Sequence, residues 1–83
     1  MRPIKDNYGK PTQDFVNKLQ AMTDEQLLKE AEQDIWLSAY AQNNRRSDYH
    51  WHADECYEEA KRRNKSEIYT QAFNAARKHT GAN

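Results

Sequence analysis

An all-α fold, a small four-helix bundle, is what this 83-residue chain predicts. Three observations carry that expectation. Only two glycines and two prolines punctuate the chain, too few for a turn-rich β fold. β-branched residues are scarce: one Val, three Ile and four Thr. Four stretches repeat apolar residues at helical spacing, and each follows a Thr or Ser able to cap a helix start.

The N-terminal stretch, residues 1–11, holds both prolines and no periodicity, and reads as a flexible arm. Residues 12–83 read as one helical domain. The first helix is short. Thr12 is its cap candidate, and Phe15, Val16, Leu19 and Met22 recur at helical spacing. So short a helix needs a surface to lie on.

The long central helix is expected from the Thr23 cap to Asn43. Thr23 and Gln26 have capping-box spacing, with Met22 and Leu27 placed as a hydrophobic staple. Asp24 and Glu25 put negative charge at the positive end of the dipole. Leu27, Leu28, Ala31, Ile35, Ser38 and Ala39 share a face, whereas Trp36, Leu37 and Tyr40 do not. A helix apolar on more than one side is covered by neighbours or meets a second copy. Trp36, Leu37 and Tyr40 are therefore candidates for a homodimer seam.

Asn43 to Arg46 read as a loop, and Ser47 caps the third helix, whose stripe is Tyr49, Ala53, Cys56, Tyr57 and Ala60. Asn64 and Lys65 form a turn, Ser66 caps the fourth helix, and Gly81 stops it. Ala53, Cys56 and Ala60 oppose Ala72, Ala75 and Ala76. Small residues and a short turn predict an antiparallel helical hairpin.

Composition narrows the function. Hydrophobic residues make up 36% and charged residues 31%, with zero net charge. That balance lacks the basic excess of a strong nucleic-acid footprint. No apolar run approaches membrane-spanning length and no signal-peptide core precedes the arm, so a cytoplasmic protein without a membrane partner is expected. A single Cys56 fits a reducing compartment.

Chemistry finds little purchase. His52 and Cys56 are four residues apart and could reach one ion, but paired Cys/His spacings are missing, so neither a metal nor a cofactor is assigned. Cys56 sits mid-stripe, where a thiol is buried and inert, and no enzyme activity is expected. Trp51 points away from the stripe on the third helix. It either folds over the end of the second helix or stands out as an interface hot spot, with Tyr49, His50, Arg45, Arg46 and Arg62 around it. These six are the candidate partner-binding residues. The basic clusters Arg45-Arg46, Lys61-Arg62-Arg63 with Lys65, and Arg77-Lys78-His79 lie at helix C-termini or just beyond, where the dipole favours them. Phosphate contact by Arg45, Arg46, Arg62, Arg63 and Lys65 makes a small nucleic-acid-binding protein the alternative.

The run from Trp36-Leu37-Ser38-Ala39-Tyr40 through Tyr49-His50-Trp51-His52-Ala53, Cys56-Tyr57 and Arg62-Arg63 to Glu67-Ile68-Tyr69 resembles small helical accessory proteins of tailed phages and prophages. The resemblance implies a phage protein that binds and blocks a host component, as anti-defence proteins such as anti-CRISPRs do. The leading expectation is thus a non-enzymatic protein-binding module, an inhibitor or adaptor acting on a host protein.

Overall fold

Thr23 opens the helix on which the rest of the molecule packs. In the computed structural model, which describes residues 3–44 and 47–79, its hydroxyl accepts the Gln26 N–H (3.2 Å). The Gln26 side chain accepts the Thr23 N–H in return (2.9 Å). The four helices are α1 (Thr12–Gln20), α2 (Asp24–Tyr40), α3 (Asp48–Arg62) and α4 (Glu67–His79). α2 ends at Tyr40, earlier than the sequence suggests, and turns cover residues 41–43. Arg45, Arg46 and Gly81, and the side chain of His79, lie outside the described residues.

α2 packs extensively on both α3 and α4, α1 lies on α3, and α3 and α4 touch each other sparingly. The C-terminal hairpin is thus opened into a V with α2 wedged in it. The small residues expected to bring α3 and α4 together serve α2 instead. Ala53, Cys56 and Ala60, with Ile68, Ala72 and Ala76, surround Leu27, Ala31 and Ile35, and α1 adds Leu19. Alanines bring the backbones close. The larger buried side chains Leu19, Leu27, Ile35 and Ile68 supply most of the hydrophobic gain, each worth about 1.5–3 kcal/mol.

The V turns at Asn64, the one described non-glycine residue with positive φ (56°). Lys65 N–H donates to Ala60 O (2.9 Å) and Asn64 N–H to Lys61 O (2.9 Å), the two bonds of a Schellman motif. Asn tolerates this left-handed conformation better than alanine does. Asn64→Ala is expected to cost about 1 kcal/mol, and Asn64→Gly to match or exceed the native stability. Urea denaturation of both variants checks this, and equal stability for Ala and Gly would refute it.

Residues 3–11 lie against the body. Asp6 organises a turn by accepting the N–H groups of Tyr8 (2.8 Å) and Lys10 (2.9 Å). Thr12 is not the cap of α1, because Pro11 occupies that position. The Thr12 hydroxyl is buried and donates to Pro3 O (2.6 Å), tying the arm down. The Asp48 carboxylate receives the Asn7 N–H (3.1 Å to each oxygen), which joins the arm to the first turn of α3.

Candidate functional site

Of the six partner-binding candidates, Arg45 and Arg46 lie outside the described residues, and Trp51, Tyr49, His50 and Arg62 do not form one patch. Trp51 is buried, 6% exposed, which corrects its reading as an outward anchor. Its covering partner is α1: Phe15 meets the indole edge-on (centroids 5.3 Å apart), and Nε1 donates to Asp48 Oδ1 (3.0 Å). Tyr49 is exposed at the start of α3 and Arg62 at its end, about 20 Å apart at ~1.5 Å per residue. Arg62 already forks onto Glu59 Oε1 (3.0 and 2.8 Å).

His50 is pinned as well. Its Nε2 lies 2.9 Å from the Asn44 carbonyl and its Nδ1 2.6 Å from the Ser38 hydroxyl. A carbonyl only accepts, so Nε2 carries the proton and a neutral ring accepts at Nδ1. His50 thereby fastens the α2–α3 connection to α2.

Trp36 is the more exposed tryptophan. Its ring meets Tyr40 at 5.8 Å, and Tyr40 is 81% exposed. Leu37, half-buried, lies about 100° further round the helix, so the three seam candidates share only part of a face.

The Lys61–Lys65 cluster is bound up in acid. Arg63, at the C-cap of α3, donates to Glu59 Oε2 (2.8 Å), Asp24 Oδ1 (2.9 Å) and the Leu19 carbonyl (2.9 Å). Lys65 joins it on Asp24, and Lys61 pairs with Glu58 (4.0 Å). Burial alone would raise the Glu59 pKa, but the bonds from Arg63 and Arg62 outweigh it and hold the carboxyl low. The bonds from Lys65 and Arg63 likewise lower Asp24. These cations clamp the end of α1, the start of α2 and the end of α3 together.

A second buried cluster escapes the sequence reading. Asp34, 2% exposed, sits on the apolar face of α2 and receives the Cys56 thiol (3.6 Å). Burial, then a hydrogen bond and charge from Glu30, push its pKa up to about 9. Asp34 is therefore a neutral carboxylic acid at neutral pH, and Glu30 pairs with Lys18 (3.7 Å). His52 stacks on Phe15 (4.0 Å, 8°), with Nδ1 3.9 Å from Asp34 Oδ1. Burial lowers the His52 pKa and raises that of the Cys56 thiol. A Cys, a His and an Asp thus lie together, but the thiol is 1% exposed and its partner is an acid, not a base. Thiolate formation there is disfavoured. No group of three His, Cys, Asp or Glu among the described residues is arranged to hold a metal ion. The spacing Leu27, Ala31, Asp34 carries the signal that reasoning from types missed, since Asp34 continues the apolar stripe.

An open groove of about 360 Å3 lies where α2 meets α3 and α4. Ile35, Ser38 and Ala39 of α2 and His50 and Ala53 of α3 line one side, with Tyr69 and Phe73 of α4 as the facing wall. Phe73 is 44% exposed, unusual for a phenylalanine in so small a core. Tyr57 extends the wall through an edge-on contact with Tyr69 (5.1 Å). Asp54 stands on the rim and, after burial, is the next contributor to a raised Tyr69 pKa.

Fold and groove define a small helical bundle with an open aromatic seam. No family model, curated protein or solved structure matches the chain. Among the described residues, no helix is long and apolar enough to cross a membrane.

Proposed function

We propose that the protein is a non-enzymatic protein-binding module, a phage-encoded inhibitor or adaptor that docks on a host protein in the cytoplasm. The observation that carries this reading is the groove edged by Phe73, Tyr69 and Tyr57. Exposed aromatics beside a groove are what interface anchors and their pockets are made of. The pairing of Lys61, Arg62, Arg63 and Lys65 with carboxylates supports a protein partner over a nucleic acid, because phosphates would have to displace Glu59 and Asp24. The burial of Cys56 supports a binding role over chemistry.

A pull-down from bacterial lysate, run with and without nuclease, tests the reading. A stoichiometric protein that survives nuclease and is lost with Phe73→Glu is the expected result. Recovery that collapses with nuclease would transfer the function to the nucleic-acid alternative.

A further inference from the structure

The Asp54 carboxylate is exposed on the groove rim and makes no ion pair among the described residues. Its neighbours differ. Glu58 is paired with Lys61, whose ammonium also lies over the Tyr57 ring (5.2 Å), and both ring nitrogens of His50 are hydrogen-bonded. Among the described residues, one carboxylate without an ion-pair partner therefore borders the groove.

We propose that the groove receives an amphipathic helix of the partner, its apolar side chains on Ile35, Ala39 and Ala53 and a lysine or arginine against Asp54. The inference rests on the protein-binding reading above and names the chemistry of the partner. Ala39 and Ala53 are small, so an incoming backbone approaches the groove closely there. α3 and α4 both pack on α2 and touch each other sparingly, and a further helix continues that packing, its anchors recurring every three to four residues. The rim is negative, which repels phosphate and an acidic peptide and selects a cation.

Two synthetic amphipathic peptides with the same leucine face, one with lysine and one with glutamate on the polar face, serve as probes. They are titrated against the full chain by methyl NMR. The lysine peptide is expected to shift the Ile35, Ala39 and Ala53 methyls and to bind at least about tenfold tighter than the glutamate peptide. Asp54→Lys should reverse that preference. Phe73→Glu should remove binding with helical circular dichroism unchanged, since Phe73 is already half in solvent. Equal affinities, no shifts, or shifts centred on Trp36 and Tyr40 would overturn the proposal. So would the same methyl shifts on raising protein concentration alone with a doubled mass by light scattering, which would make the occupant a second copy. If the lysate partner is retained by both Phe73→Glu and Asp54→Lys, the groove assignment fails while protein binding stands. Loss of that partner with nuclease removes the protein-binding reading itself.

Discussion

Arg63→Ala is expected to destabilise the protein by about 2–4 kcal/mol, the range for removing one member of a mostly buried, hydrogen-bonded charge network. That is a large share of the stability of a chain of this size. The Arg63 guanidinium bonds Glu59 within α3, Asp24 at the start of α2, and the carbonyl of Leu19 in the last turn of α1. Its loss leaves Glu59, itself buried, with only Arg62, and leaves an α1 carbonyl without its donor. Arg63→Lys keeps the charge but not the three-way fork, and should recover less than half of the loss. Because Arg63 is largely shielded, added salt should change the wild-type stability little. Urea denaturation of the three proteins at low and high salt measures this. A loss below about 1 kcal/mol for Arg63→Ala would mean that the clamp is a surface ion pair and no more.

That clamp also shows what the chain discloses and what it conceals. Local signals were legible. The Thr23–Gln26 box, the Ser47 cap, which accepts the Tyr49 N–H (3.3 Å), and the Asn64 turn all use residues within a few positions of one another. Fold class followed from them. Glu59 and Arg63 were legible as an i,i+4 pair, but not as a buried one, because Asp24 and Leu19 join from elsewhere in the chain. The cover over Trp51 is hidden for the same reason. Helical spacing shows that its side chain leaves the stripe, but not that α1 crosses there and covers it with Phe15. The groove was least legible of all. Ile35, Ala53 and Phe73 are ordinary stripe residues in sequence. Only the packing of both α3 and α4 on α2 brings them to one groove.

Asp34 makes the second large prediction, one of sign as well as size. Its carboxyl is neutral in the fold and ionised in the unfolded chain at neutral pH, because burial and Glu30 raise its pKa from 3.8 to about 9. The folded state therefore holds the extra proton. A raised carboxyl contributes fully below pH 3.8 and loses that contribution as pH climbs towards 9. The slope approaches about 1.4 kcal/mol per pH unit where one full proton separates the two states. Other groups bound the useful window. His52, lowered by burial, costs stability as pH falls below 6.5. The Cys56 thiol, raised by burial, costs stability above 9.0. Between pH 6.5 and 8.5 the decline should belong chiefly to Asp34, with Glu30 as its hydrogen-bonding neighbour and Lys18 opposing it. Asp34→Asn keeps a neutral side chain of the same shape that still accepts the Cys56 thiol, and should flatten the curve. Its stability should exceed that of the wild type at pH 8.5, by more than at pH 6.5. Denaturation at several pH values across that window decides it. Parallel curves for the two proteins would show that Asp34 is already ionised in the fold, with Lys18 or water compensating the charge.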